Sequence, residues 1–466
     1  MVFWTVPQPI KTWGTTTHEE AAHARWMDLF FDLLYVGVAF LVGHQLEHNF
    51  HHHGPTHSVW FSFQHFFILI GPWFSNLAFY SRFDVNDTFH KLIDVAEYVL
   101  VGCAAVFVAS PSSTAFWWAI VGVRILTCFR YLELLLCSEH GNCTSMARYL
   151  CGAEVVAIVL SCVNNSGFVQ PKDFTITLVV AQVFQFGHVI VRVWLGSFSR
   201  ANSVPLHIGF VTHRVGELMM LMLGESVLSL VVTKIPAASE TDTAATSTPF
   251  YNMGITMFHA SLVAGFLTSV SCMWLQYSSS TFHAREHVLR RSGRGGVVWM
   301  NVVWLHAFVL VVVGVALRMM LTVGGDVPSV ELSCLLCVAL ALNFCLAQVN
   351  EYLHTLNHPV DALNVPAAWG VYRYVGVALE ICSVVVLLCL PWWLPWWLGD
   401  GDGGDDGATG YEMVLWCGGI VCFQALLELY DPNSHQMDGR FHEHHGDHGN
   451  SQKKQDGVLP DGKKNH

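Results

Sequence analysis

Apolar residues in this chain come in long runs rather than in strand-like alternation. Runs approaching the roughly 20 residues needed to cross a bilayer fall near 26–46, 58–80, 92–110, 114–137, 149–164, 174–198, 206–233, 252–277, 297–321, 330–352, 370–397 and 411–429. They predict an all-α, polytopic membrane protein of about twelve transmembrane helices. The fifth run is short. The eleventh ends in "PWWLPWWLG" (391–399), which reads as an interfacial aromatic belt with a break in the helix.

The polar positions that interrupt these runs carry more information than the runs. "HARWMDLFFDLLYVGVAF" (23–40) sets Arg25, Asp28 and Asp32 into the start of the first span. A charge at the centre of a membrane helix costs about 2.5–3.5 kcal/mol on insertion scales. The seventh span opens in a similar way, with Arg214, Glu217 and Glu225 in "RVGELMMLMLGESV". Both begin Arg-x-x-acid, 189 residues apart (25 to 214). Six helices separate the two starts, so the halves share orientation. A parallel repeat about an axis along the membrane normal is expected, with residues 1–200 as the first six-helix unit and 201–430 as the second. Residues 431–466 form a polar tail rich in His and Lys.

Charge placement orients the spans. Of the 23 Lys and Arg residues, 15 fall on one side of the proposed topology, six lie within or near helices, and only Lys172 and Lys234 fall on the other side. The positive-inside rule then puts both termini in the cytoplasm. The sequon at Asn164 faces outward, and those at Asn86 and Asn142 face inward. The first fourteen residues contain no apolar core of a signal peptide, so none is expected to be cleaved.

Composition agrees with the pattern: 53% of residues are hydrophobic and 12% charged, against about a quarter charged in a soluble domain. The net charge of −12 does not point to nucleic acid, and no nucleic-acid partner is expected; much of the charge sits in "GDGDGGDDG" (399–407) and in acids within helices. The expected partners are membrane lipid and an ion or small solute, with a homodimer as a candidate assembly, in a plasma or organelle membrane. Most of the 14 cysteines lie singly in apolar runs and read as small packing residues. Cys334 and Cys337, in "LSCLLCVALAL", are read the same way.

At 100° per residue Asp28 and Asp32 share a helix face, as do Glu217 and Glu225, and each Arg lies close to its stripe. Lipid does not tolerate such a line, so it must face the protein interior or water. Each helix carries one Arg for two acids, so a further partner or a proton is required. Arg124, Arg130, Arg318 and Arg373 are candidate partners. Asp94, Glu97, Glu133, Glu154, Glu351 and Glu380 add further ionisable groups at membrane depth.

"LFFDLLYVGVAFLVGHQLEH" in the first span and "LGESVLSLV" in the seventh resemble the low temperature requirement A family of membrane proteins. Members carry an "LFFDLVFV"-type opening and a later "ALGE" stretch. The resemblance places motif residues at Phe30, Phe31, Asp32, Gly224 and Glu225, and implies a many-helix membrane protein of ill-defined biochemical activity. The chain departs from the family in having Asp28 where members often have Glu, and in its heavy His content. A more distant likeness is to twelve-helix, two-repeat endolysosomal potassium channels, although no Ser precedes Asp32.

Histidines offer a different chemistry. "HQLEHNFHHHGPTH" (44–57), "HAREH" (283–287), "HTLNH" (354–358) and "HEHHGDH" (442–448) look like the His boxes of membrane di-iron oxygenases. The topology divides them, with the first outside and the others inside, whereas di-iron chemistry needs its ligands together. A metal ion at a His cluster remains a candidate cofactor, with His44, His48, His51 and His52 as its ligands. His44 and His213, at opposite ends of their helices, are also candidates for a proton relay.

The residues favour a transporter or channel over an enzyme. The expected path is lined by Asp28, Asp32, Glu217 and Glu225, with Arg25 and Arg214 setting their charge states. The alternatives are a His-box metalloenzyme and a non-transporting scaffold or sensor.

Overall fold

The computed structural model describes residues 3–10, 26–109, 114–163, 179–183, 187, 204–233, 249–278, 287–324, 326–355, 367–398 and 408–429. Among these lie eleven long helices: α1 (Trp26–His53), α2 (Pro55–Tyr80), α3 (Thr88–Val106), α4 (Thr114–Cys137), α5 (Gly141–Val163), α6 (Ile208–Val232), α7 (Pro249–Ser278), α8 (Gly293–Val323), α9 (Val330–Thr355), α10 (Ala367–Leu398) and α11 (Gly410–Leu429). The run expected as a sixth span, 174–198, lies largely outside the described residues, so the span expected seventh is α6. The tail at 431–466, the acidic loop at 399–407 and the sequon at Asn164 also lie outside them.

Seven of these helices are long and apolar enough to cross a membrane: α1, α5, α6, α7, α8, α9 and α11. The protein is an integral, multi-pass, all-α membrane protein. α3 and α4 fall outside this set and carry much of the buried charge, including Asp94, Glu97, Arg124, Arg130 and Glu133.

Three boundaries differ from expectation. α1 runs on to His53, and α2 starts at Pro55, so the "outer loop" of histidines is mostly helix. The turn is made at Gly54, whose φ of 78° suits a residue without Cβ, and Pro55 then opens α2 with φ already set. α5 begins at Gly141, eight residues before the expected start (149 to 141), because its polar first turns are helical. α10 continues through Pro391 and Pro395 to Leu398 without the expected break. A helix in a bundle can lose single backbone bonds to proline and remain one helix.

α1 is the hub. It packs on α2, α3, α6 and α8, while α3 packs on α4 and α4 on α5. Around α6 a similar order appears: α6 packs on α7 and α8, α8 on α9, and α9 on α10, with α11 against α7.

The segment 3–10 is pinned to the α2–α3 turn. Gln8–Pro9 pairs antiparallel with Phe83–Asp84, and the Phe89 amide donates to the Phe3 carbonyl at 2.9 Å. Asp87 caps α3 by accepting the His90 amide at 2.8 Å. Its Oδ2 also accepts the Thr5 amide at 2.9 Å and hydroxyl at 2.8 Å. The His90 ring bridges Asp87 and Glu133, with Nδ1 2.9 Å from Asp87 Oδ2 and Nε2 2.9 Å from Glu133 Oε2. The Trp4 indole N–H donates to Glu133 Oε1.

Candidate functional site

The buried face of α1 reads Asp28, Asp32, Tyr35, Ala39, Val42 and Leu46, the stripe that a helix turns toward a neighbour. Two carboxyls occupy places that packing would give to apolar residues. The facing stripe of α6 reads Arg214, Leu218, Met222, Glu225 and Ser229. Charged groups on both helices therefore point into the protein and not at lipid.

Asp32 and Arg214 form the first polar station. Arg214 Nη2 lies 2.9 Å from Asp32 Oδ1, and each residue is 1% exposed. The Trp73 indole N–H of α2 donates to the same oxygen at 2.7 Å. The Trp73 ring also carries the guanidinium, whose carbon lies 5.7 Å from the ring centroid. Asp32 Oδ2 and Arg214 Nε and Nη1 have no hydrogen-bond partner among the described residues. The pair thus neutralises charge without saturating the hydrogen-bonding capacity of either group. Asp28, fully buried one turn earlier, and Glu217 both lie within electrostatic range of Asp32.

Glu225 forms the second station. It is 1% exposed, and its Oε1 accepts the Ser229 hydroxyl at 2.6 Å. Oε2 has no hydrogen-bond partner among the described residues. Gly43 of α1 makes this closeness possible: a Cβ there would sit 3.5 Å from Glu225 Oε1 and 2.8 Å from Val315 Cγ2 of α8. Beside it, the Ser226 hydroxyl donates to the Leu310 carbonyl at 3.2 Å and so ties α6 to α8.

The two stations share one register. Asp32 faces Arg214 and Gly43 faces Glu225, so both contacts have the same offset of 182 (214 − 32 and 225 − 43). A constant offset means that α1 and α6 run parallel. The eleven intervening steps separate the stations by about 16 Å of helix rise. Between them Val38, Ala39 and Val42 of α1 and Leu218, Met219 and Met222 of α6 are each at most 1% exposed.

A third charged cluster flanks α1. Arg130 of α4 contacts Asp94 Oδ1 at 2.8 Å and Glu97 Oε2 at 2.6 Å, and the Tyr80 hydroxyl donates to Asp94 Oδ1 at 2.6 Å. Arg130, Asp94 and Glu97 are each at most 1% exposed, so one guanidinium serves two buried carboxyls.

The other residues singled out from the sequence are distributed as follows. Arg124 donates to Gln182 Oε1 at 2.6 Å and lies 4.0 Å from Glu154 of α5. Arg318 Nη1 lies 3.6 Å from Glu47 Oε2. Arg25 and the Arg373 side chain lie outside the described residues. His213, with a half-exposed side chain, sits 3.3 Å from Glu217 on the same helix. His44, His48, His51 and His52 are exposed on α1 and do not gather into a ligand set. Among the described residues no group of three or more His, Cys, Asp or Glu side chains is placed to hold a metal ion. The reason is geometric: on one continuous helix these imidazoles spread over two turns, and only pairs such as His48 and His52, with ring centroids 4.8 Å apart, come together. The two HxxxH segments meet through His287 and His354, whose ring centroids are 4.6 Å apart against Trp299; His283 and His358 lie outside the described residues.

Sequence reasoning passed over Trp73, Glu47 and Gly43. Trp73 follows Pro72 inside α2, where one more aromatic in an apolar run carries no mark of a polar partner. Glu47 lay within the histidine cluster and was eclipsed by it. The cysteines behave as packing residues, with all 14 free; Cys337 meets Cys417 at 3.7 Å and Cys128 meets Cys151 at 3.6 Å.

The family model described as Bacterial low temperature requirement A protein (LtrA) matches residues 23–398. The chain belongs to the low temperature requirement A family. The match runs from the start of α1 to the end of α10, so both stations and the Arg130 cluster lie inside the part shared with low temperature requirement A proteins, and α11 lies beyond it. No curated protein and no solved structure matches the chain.

Proposed function

We propose that this protein moves a proton, another cation or a small solute across the bilayer, along the α1–α6 seam. The observation that carries this reading is the pair of buried polar stations on facing stripes of two parallel helices. Intramembrane ionisable groups that face a helix interface mark ion pathways by default. Each station retains hydrogen-bonding capacity that its neighbours leave unused, at Asp32 Oδ2, Arg214 Nε and Nη1, and Glu225 Oε2. The apolar layer between the stations is closed, which suits an occluded state. Asp28 extends the first station toward the start of α1, and Glu217 extends it along α6 toward Glu225.

The proposed architecture is twelve transmembrane helices in two parallel six-helix repeats, with both termini cytoplasmic. The recurrence of packing order around α1 and α6, and the parallel run of these two helices, support it. Each repeat would contribute its opening helix to the path, as parallel repeats do when a site forms between them.

The test is flux in proteoliposomes loaded with a pH-sensitive or cation-sensitive dye. Glu225→Gln, and Asp32→Asn combined with it, should abolish flux, each read on the monodisperse fraction of the reconstituted variant. Unchanged flux would remove these acids from the mechanism. A wild-type protein that carries no proton or cation flux, with stability falling on each charge deletion, would instead favour a purely structural network.

A further inference from the structure

Glu47 and Arg318 lie one helical turn beyond the Glu225 station. On α1, Gly43 touches Glu225 and Val315, and Glu47 follows four residues later on the same face. On α8, Arg318 follows Val315 by three residues. The contacts Gly43–Val315 and Glu47–Arg318 have nearly the same offset, 272 and 271 (315 − 43 and 318 − 47), so α8 also runs parallel to α1. Three parallel helices thus enclose Glu225, and the ion pair closes the space between two of them about 5–6 Å further along. Both partners are about one-fifth exposed, at 21% and 20%, while Glu225 beneath them is 1% exposed. The pair is therefore the boundary between solvent or headgroup and the buried carboxyl. Arg318 also lies within electrostatic range of Glu225.

Given the path proposed above, on which this inference rests, we infer that Arg318 is a tethered gate for Glu225, regulating access to it from the α1 C-terminal side. Glu47 holds the guanidinium at the rim. The same guanidinium, if let go, can engage the Glu225 Oε2 that no described neighbour uses. One cation thus has two competing carboxylates, an outer one that holds the gate and an inner one that the gate can occupy. A geometry with a 3.6 Å separation and partial exposure is a weak tether, which is what a gate requires. While Arg318 stands there, a cation approaching Glu225 from this side meets a fixed positive charge.

A hydrophobic carbodiimide tests this without any need for transport. Such reagents modify buried, protonated carboxyls in membrane proteins, and a carboxylate engaged by a guanidinium is protected. The readout is the rate of modification at Glu225, followed by peptide mass spectrometry on the full-length protein in detergent and in liposomes. Arg318→Ala removes the cation and should raise the rate severalfold. Glu47→Gln releases the guanidinium toward Glu225 and should lower the rate. Arg318→Lys, which keeps the charge, should stay near wild type and guards against a folding defect in Arg318→Ala. Simple loosening of the helix end would move Arg318→Ala and Glu47→Gln in the same direction; that result, or no change in either, overturns the gate. Opposite responses in a protein that carries no flux would keep the gate at Glu225 and reject the transport reading.

Discussion

Asp32 and Arg214 meet at 2.9 Å across 182 positions of sequence (214 − 32). The contact joins α1 to α6, and Trp73 of α2 completes it by donating to the same carboxyl oxygen. An acid and a guanidinium that would each be intolerable alone in lipid become acceptable because each is the other's counterion.

Loss of one partner should therefore cost more than loss of both. Asp32→Asn and Arg214→Gln are each expected to destabilise by about 3–5 kcal/mol, the range for breaking a buried pair. The double variant should cost much less than the sum of the two. Thermal unfolding in detergent, arranged as a double-mutant cycle, measures the coupling; additive losses would show that the contact contributes no pairing energy.

Gly43 predicts a contrast within a single helix. A Cβ at Gly43 comes to 2.8 Å from Val315 Cγ2, whereas a Cβ at Gly37 meets nothing within 4 Å. Gly43→Val should destabilise by about 1–3 kcal/mol through overpacking and push α1 from α6 and α8. Gly37→Ala should be neutral or mildly stabilising, since Ala is the better helix former by about 1 kcal/mol. Melting temperatures of the two variants decide it, and equal behaviour would contradict the close approach.

Arg130 serves both Asp94 and Glu97, so its removal leaves two buried carboxyls without their cation. Arg130→Met should destabilise by at least about 3–5 kcal/mol. Adding Glu97→Gln should restore part of the loss by removing one of the orphaned charges. Expression level and retention of a monodisperse peak in detergent report the rescue; no rescue would mean that Glu97 is not held by Arg130.

The N-terminal segment should detach in acid. Burial disfavours the charged Asp87 carboxylate, but the hydrogen bonds from the His90 amide and ring and from Thr5 outweigh it and hold the carboxyl below its ordinary range. A depressed carboxyl stabilises the folded form above its unfolded value, about 3.9, and that contribution fades as pH falls through the lower folded value. Protection of the segment 3–10 against limited proteolysis should persist at neutral pH and weaken below about pH 4. Asp87→Asn should weaken protection at neutral pH as well. A segment still protected in that variant would show that the Phe3–Phe89 ring contact and the short β pairing suffice.

The sequence made the helices legible because the apolar runs are long and bilayer thickness sets their length. Asp32 and Glu225 were legible as inward-facing groups for the same reason, since lipid leaves a carboxyl nowhere else to point. Their partners were not. The helix-angle argument tied each Arg to its own stripe, whereas Arg214 reaches across to Asp32. Which helices touch depends on small residues such as Gly43, and a single glycine has no distinguishing mark in an apolar run. The dense histidine cluster at 44–57 suggested a loop, yet most of it winds along one helix end.

The parallel register of α1 and α6 has an electrical corollary. Two acceptors about 16 Å apart along helices that span a hydrocarbon layer near 30 Å divide the transmembrane potential roughly in half. A proton stepping from Asp32 to Glu225 would do about 1.2 kcal/mol of work per 100 mV, half the value for a full crossing. Turnover through this seam would then be paced by voltage as well as by concentration, even though α1 and α6 need not move.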